Sequence, residues 1–237
     1  MNRGLFITGT DTGVGKTIVT AALATLLREL GVDVGVMKPV ATGCVRRREG
    51  LVSEDGEFLA QAAESPETLE EITPIRLAAP LAPTVAAARA RLTLDLAPVW
   101  AAWRRLRSAH DVMLVEGIGG LLCPVTPKES VADLAKTFGL PLLVVARPVL
   151  GTINHTALTV EAARARGLRV AGVIINRYHH DTTDLAEATN PDEVQRVTGV
   201  DVLGLVPDDP KTDFRAGVVG GDVLAAVRQL PLKELLA

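Results

Sequence analysis

Aromatic residues are scarce in this sequence, at 3% of 237 residues, although 48% of the chain is hydrophobic. A core of this size must therefore consist mainly of Ala, Val, Leu and Ile side chains. Cysteine is also rare, because Cys44 and Cys123 are the only two. Two cysteines do not make a disulfide framework in a chain of this length, and a cytoplasmic location is the expectation.

An excess of charge of one sign is absent as well. The chain has 25 Lys and Arg residues against 28 Asp and Glu residues, and the net charge of −3 gives no electrostatic basis for binding nucleic acid. Long hydrophobic runs are missing, because none reaches the ~18 residues of a membrane span. The first residues do not form a charged and then apolar leader. Neither nucleic acid nor a membrane is an expected partner.

Short apolar runs recur along the chain and predict six strands. They cover residues 5–8, 34–37, 112–115, 141–146, 170–175 and 202–206. Each run is apolar throughout, which is typical of a parallel sheet covered by helices on both faces. Helices are predicted at residues 16–30 and 156–166, and residues 59–106, rich in Ala and Pro, predict short helices broken by turns. The alternation predicts one doubly wound, mostly parallel α/β domain over residues 1–237.

The segment TGTDTGVGKT, residues 8–17, joins the first predicted strand to the first predicted helix. It ends like a phosphate-binding loop, although the usual pattern has a glycine where this chain has Thr10. Backbone N–H groups at its end can bind phosphate oxygens. These groups belong to Gly13, Val14, Gly15 and Lys16. Lys16 would then reach the β- and γ-phosphates of a nucleotide, and the Thr17 hydroxyl would bind Mg²⁺; the alternative is a glycine-rich turn without a ligand.

Polar residues at other predicted strand ends extend this hypothesis. Glu116 follows a buried strand, where a P-loop protein has a metal-organising carboxylate; an exposed loop acid is the alternative. Lys38 also ends an apolar strand, where an ammonium group needs an anion unless it lies at the surface. Asn176 can read a nucleobase edge or cap a turn. Asp55 is by its spacing more typical of a solvated or helix-start residue than of a ligand. Thr152 and Asn154 lie just before the predicted helix 156–166, where the helix start could bind a carboxylate or a phosphate.

Six segments, in this order and spacing, resemble the ATP-dependent dethiobiotin synthetases almost from end to end. They are TGTDTGVGKT, KPVATG (38–43), VEGIGG (115–120), LGTINHTALT (150–159), GVIINR (172–177) and VLGLVP (202–207). That family is part of a larger P-loop group with the MinD/ParA-like ATPases. The resemblance implies ATP-dependent carboxylation of 7,8-diaminononanoate with CO₂ in biotin biosynthesis. A carbamic-phosphoric mixed anhydride would lead to closure of the cyclic urea.

The same resemblance implies roles for individual residues. Thr12, Lys16 and Lys38 would be catalytic, and Thr17, Asp55 and Glu116 would bind Mg²⁺. The implied ATP site consists of Gly13, Val14, Gly15, Lys16, Thr17, Ile18, Asp55, Glu116, Gly117, Ile118, Gly119, Asn176, Arg177 and Pro207. The implied diamine site consists of Thr12, Lys38 and Thr42, together with Gly151, Thr152 and Asn154 from the second subunit of a homodimer.

Two other functions compete with this one. A regulatory P-loop ATPase with a protein or membrane partner is disfavoured, because Asp11 stands where most MinD/ParA-like ATPases have a signature lysine. The chain also lacks a basic amphipathic tail. Amidation of a corrinoid-type carboxylate would need a glutamine-handling domain, for which this chain has neither the length nor a candidate Cys-His pair.

Overall fold

Strands and helices alternate along the chain in a computed structural model that describes residues 3–48 and 50–236. Within these residues, the strands are β1 (Gly4–Gly9), β2 (Val34–Met37), β3 (Val40–Thr42), β4 (Val45–Arg47), β5 (Gly50–Val52), β6 (Ile75–Leu77), β7 (Val112–Glu116), β8 (Leu142–Ala146), β9 (Val170–Asn176) and β10 (Val202–Val206). The helices are α1 (Lys16–Glu29), α2 (Glu54–Ala63), α3 (Leu69–Ile72), α4 (Pro83–Arg89), α5 (Ala97–Ala109), α6 (Val131–Phe138), α7 (Thr152–Arg164), α8 (Leu185–Thr198), α9 (Gly221–Val227) and α10 (Leu232–Leu235).

The six predicted strands form one parallel sheet with the order β10-β9-β8-β1-β7-β2. The prediction of a mostly parallel α/β sheet flanked by helices is therefore confirmed. Strand β1 is central, since it pairs with β8 on one side and β7 on the other. This order brings the carboxyl ends of β1, β7 and β2 side by side. The single domain over residues 1–237 stays a prediction.

Both faces of the sheet are buried. Successive side chains of each strand point to opposite faces, so every strand contributes to the packing on both sides. Leu5 and Ile7 of β1 pack in one core cluster with Leu23 of α1. Phe6, between them, packs in a second cluster with Trp103 of α5 and Phe138 of α6. The continuous apolar runs are thus explained by helices on both sides. In the described part of the chain, no helix is both long and apolar enough to cross a membrane.

The connection after β2 is more regular than the sequence predicts. The predicted short helices of residues 59–106 are present, but α2 begins before this region and α5 extends over 13 residues. Four short strands were not predicted: β3 pairs with β6, and β4 pairs with β5. Runs of three residues are too short for periodicity to identify. The β4–β5 hairpin leads directly into α2. The first turn of that helix therefore lies near the carboxyl ends of the strands, where the P-loop is.

Candidate active site

The sheet register brings Lys38 and Glu116 to the same level, next to the loop that follows β1. Ile7 pairs with Glu116, and Met37, the residue before Lys38, pairs with Val115. Ligands of doubly wound proteins bind beyond the carboxyl ends of the strands. The two charged residues therefore lie where a ligand held by the phosphate loop would be bound.

The phosphate loop itself turns sharply at two glycines. Gly13 has φ +71° and Gly15 has φ +93°, values in the left-handed region that side chains disfavour. A Cβ atom on Gly15 would also lie 1.9 Å from Nδ2 of Asn176. The same Nδ2 donates a hydrogen bond of 2.9 Å to the carbonyl oxygen of Val14. The loop is thus held against the end of β9 by a contact that only glycine permits.

Lys16 begins α1 and is 6% exposed. Its ammonium group donates to the carbonyl oxygens of Asp11, at 3.1 Å, and Gly119, at 2.7 Å. Burial and then the like charge of Lys38 lower the pKa of Lys16 to about 8. Among the described residues, its hydrogen-bond acceptors are both carbonyl oxygens, which a phosphate group could replace.

Lys38 is 3% exposed and lies between two carboxylates. It forms ion pairs with Glu116 and, at 2.9 Å, with Oδ2 of Asp55. Burial alone would lower the pKa of Lys38, but the two carboxylates outweigh burial and raise it. In return, the Lys38 charge lowers the pKa of Asp55. Lys38 therefore remains a fixed positive charge at neutral pH and is unsuited to act as a base.

Thr17, Asp55 and Glu116 provide oxygen atoms that fit a magnesium ion. The Thr17 hydroxyl donates to Oε1 of Glu116 at 2.9 Å. Oε2 of Glu116 is buried and has no hydrogen-bond partner among the described residues. A buried carboxylate oxygen without a partner is costly unless a cation or donor completes it. Mg²⁺ in phosphate-transfer sites is held by one or two carboxylates and by phosphate oxygens, and the residues present match that set.

One cavity of about 300 Å³ joins these groups. Most of the residues that the resemblance implies for ATP, metal and diamine line it. They are Thr12, Gly13, Gly15, Lys16, Thr17, Ile18, Lys38, Thr42, Asp55, Glu116, Ile118, Gly119 and Arg177. Ala41 and Phe214 also line it and were missed. Ala41 carries no sequence signal, and the only signal at Phe214 is an aromatic residue in the polar loop after the last strand.

Other implied residues lie outside the lining of this cavity. Val14, Gly117 and Asn176 are buried behind it, and Pro207 is half-buried after β10. Gly151, Thr152 and Asn154 form the start of α7. Helix α7 instead contributes His155 and Leu158 to a second cavity of about 360 Å³, which shares Thr12 and Gly119 with the first. Among the described residues of a single subunit, Gly151, Thr152 and Asn154 therefore line neither of these two cavities.

Comparison with known proteins defines the class first. Residues 3–216 match the AAA domain family AAA_26. MinD, the septum site-determining protein of Pyrococcus horikoshii, solved with Mg-ADP, superposes with a TM-score of 0.60 at 18% identity and covers 97% of this chain and 94% of its own. The fold and the phosphate loop thus define a P-loop protein of the AAA_26 family.

Sequence relatives define the family more narrowly. The ATP-dependent dethiobiotin synthetase BioD of Anaeromyxobacter dehalogenans is 47% identical over 224 residues, which are 94% of this chain and 98% of the relative. That of Thermodesulfovibrio yellowstonii is 43% identical over 214 residues, 87% of this chain and 89% of the relative. This chain belongs to the ATP-dependent dethiobiotin synthetase family of ligases.

Proposed function

We propose that this protein makes dethiobiotin from 7,8-diaminononanoate, CO₂ and ATP, as a cytoplasmic enzyme of biotin biosynthesis. One observation carries the proposal: the two buried ammonium groups of Lys16 and Lys38 and the carboxylates of Asp55 and Glu116 line one cavity behind a phosphate loop. Such a site is suited to bringing two anions together, a carbamate and a triphosphate, whose repulsion fixed positive charge offsets.

The reaction has three balanced steps. One amine of the diamine adds to CO₂ and loses a proton, which gives a carbamate. The carbamate oxygen then attacks the γ-phosphorus of ATP, so that ADP leaves and a carbamic-phosphoric mixed anhydride forms. The second amine attacks the carbamoyl carbon, loses a proton and displaces phosphate, which closes the cyclic urea. Lys16 binds the transferring phosphoryl group, and Lys38 stabilises the carbamate.

The remaining residues of the cavity position the reactants. Backbone N–H groups of Gly13, Val14 and Gly15 bind the phosphates, and Ile18 and residues 117–119 complete the walls of the ATP site. Thr12 and Thr42 hold the diamine and its carbamate. Thr17, Asp55 and Glu116 would hold Mg²⁺, which when bound supplies positive charge to the phosphate oxygens. Asn176, Arg177 and Pro207 belong to the nucleobase side of the same site.

A homodimer completes the diamine site in this proposal. Gly151, Thr152 and Asn154 at the start of α7 would bind the distal carboxylate of the diamine from the second subunit. Two features support it. A helix start offers N–H groups to a carboxylate, and the preceding Val149 and Leu150 are 55% and 85% exposed, which places neighbouring apolar side chains at the surface where a subunit interface would cover them.

The decisive experiment is an incorporation assay with labelled bicarbonate. The purified protein is given ATP, Mg²⁺ and 7,8-diaminononanoate, and the cyclic urea product is separated and counted. We expect incorporation that depends on both ATP and the diamine. Absence of incorporation while ATP binding is intact would refute the proposed reaction, and ATP hydrolysis that is stimulated by a protein partner but not by the diamine would favour a regulatory ATPase.

A further inference from the structure

Phe214 is an aromatic side chain in the loop between β10 and α9, and it lines the phosphate-loop cavity. The residue is 37% exposed. Phe214 is not one of the buried residues of the two main core clusters, which contain Phe6, Phe58 and Phe138. An exposed phenyl ring beside a cavity for a nucleotide calls for an explanation in terms of binding.

The ring of Phe214 packs against a second aromatic ring. It stacks on the ring of Phe58, with centroids 4.2 Å apart and planes inclined by 19°. Phe58 is fully buried in α2, one helical turn after Asp55. Residues three apart lie on the same face of a helix, so α2 carries both a carboxylate of the cavity and the support of the Phe214 ring.

The loop that carries Phe214 is held by its own hydrogen bonds. Asp213 and Val218 exchange two backbone hydrogen bonds of 2.8 and 3.0 Å, which close a small turn around Phe214. The Asp213 carboxylate accepts from the backbone N–H of Arg215 at 2.8 Å. The Thr212 hydroxyl accepts from the N–H of Gly220 at 3.0 Å. A ring that is fixed before the ligand arrives loses little conformational entropy on binding.

The same cavity is lined by Arg177, directly after the end of β9. Arg177 has φ +61°, a value rare for a residue with a side chain. Its Nε atom lies 3.9 Å from Oδ1 of Asp208, a long distance for an ion pair. Residues held in such a conformation are concentrated at functional sites. The neighbouring Asn176 has a buried Oδ1 atom without a partner among the residues described. The side chain of Arg177 and this Oδ1 atom of Asn176 thus both belong to the end of β9, which borders the phosphate loop.

We infer that Phe214 is the residue on which the nucleobase of the bound nucleoside triphosphate stacks. The Phe58–Phe214 pair would be extended by the flat base into a stack of three rings, and the loop would contribute affinity for the base and none for the phosphates. The inference rests on the ATP site of the proposed function and is independent of the diamine. It assigns a base-binding role to a residue outside the phosphate loop and the strand ends.

The test compares ATP with inorganic tripolyphosphate, which has the same phosphates and no base. Binding of each ligand in the presence of Mg²⁺ is measured by titration calorimetry for the wild type and for Phe214→Ala, Phe214→Leu and Phe214→Trp. Val218→Ala is the matched control, because Val218 is a 48% exposed apolar residue of the same loop that does not line the cavity.

We expect Phe214→Ala to weaken ATP binding about tenfold or more and tripolyphosphate binding less than about twofold. Phe214→Trp should retain ATP affinity, and its added indole fluorescence should change when ATP binds but not when tripolyphosphate binds. Phe214→Leu should lie between the alanine variant and the wild type, and Val218→Ala should match the wild type.

Unchanged ATP binding in Phe214→Ala would overturn the inference. An equal loss for ATP and tripolyphosphate would overturn it too, because the ring would then act through the phosphate loop. Neither measurement contains the diamine, so a failed bicarbonate assay would leave the result for Phe214 standing.

Discussion

Lys16 is a charged residue of the site whose pKa burial and the like charge of Lys38 lower towards neutral pH. Its pKa of about 8 in the free protein means that it is protonated below this pH and loses its charge above it. Bound phosphate raises the pKa again, so ATP binding above pH 8 takes up a proton. We expect ATP affinity to be constant below about pH 7 and to fall by up to about tenfold per pH unit above about pH 8.

Calorimetry in two buffers of different ionisation enthalpy measures both the affinity and the proton uptake. Lys16→Arg is the control, since a guanidinium group stays protonated and should flatten the pH profile. Equal affinity at about pH 7 and about pH 9 in the wild type would show that Lys16 does not carry this charge.

Lys16→Ala should lower turnover by about 10²-fold or more, by analogy with the loss of other transition-state donors.

Lys38 contributes a second charge whose role differs from that of Lys16. We expect Lys38→Ala to lower product formation by about 10²-fold and to leave ATP affinity within a fewfold of the wild type, because Lys38 is assigned to the carbamate. Single-turnover product formation and ATP titration separate the two effects. Thermal unfolding is measured alongside, because removal of Lys38 leaves the buried carboxylate of Glu116 without its ammonium partner. A loss confined to ATP affinity would contradict the assignment.

At the scale of elements, the join between the phosphate loop and β9 depends on Gly15. An alanine there would adopt a left-handed conformation, at about 1–2 kcal/mol, and would also collide with the side chain of Asn176. Gly31 is the matched control: it has φ +76°, but a Cβ atom on it would meet nothing within 4 Å. We expect Gly15→Ala to lower the free energy of unfolding by about 1–3 kcal/mol more than Gly31→Ala and to weaken ATP binding.

Urea unfolding of both variants measures the difference. Gly31→Ala should lose only the conformational cost and keep its ATP affinity. Equal unfolding free energies in the two variants would mean that the loop and the strand end can separate without cost. Asn176→Ala removes both the collision and the hydrogen bond to Val14, so Gly15→Ala added to Asn176→Ala should cost only about as much as Gly31→Ala costs in the wild type.

Site residues at the ends of the sheet strands can be predicted from the sequence better than site residues in the helix and the loop that pack against the site. Glu116 and Lys38 could be identified as candidates because each follows a continuous apolar run, and the carboxyl ends of parallel strands meet at one edge. Asp55 could not be identified from spacing. It comes from a helix that follows a hairpin of three-residue strands, and only packing in three dimensions turns that helix towards Lys38. Phe214 was missed for the same reason, since its position depends on contact with Phe58.

At the scale of the whole molecule, several exposed apolar side chains lie around the start of α7 and the second cavity. Leu122 and Leu158 line that cavity and are 51% and 61% exposed, and Val149 and Leu150 precede the helix at 55% and 85%. Full burial of a fully exposed side chain of this kind gains about 1.5–3 kcal/mol, and these partly exposed side chains would gain the corresponding fraction. The group is therefore well suited to the subunit interface of the proposed homodimer, with the start of α7 reaching the partner's diamine site.

We expect Leu150→Asp to shift the protein from dimer to monomer in sedimentation equilibrium, since an aspartate in an apolar interface is not compensated. The KM for the diamine should rise about tenfold or more, while ATP affinity stays within about twofold, because the phosphate loop lies within one chain. Leu30→Asp is the matched control, as Leu30 is a 64% exposed leucine that directly follows α1 and lies at the amino-terminal edge of the sheet. A wild-type monomer with full diamine-dependent activity would exclude a shared site, and so would a dimeric Leu150→Asp variant with an unchanged KM.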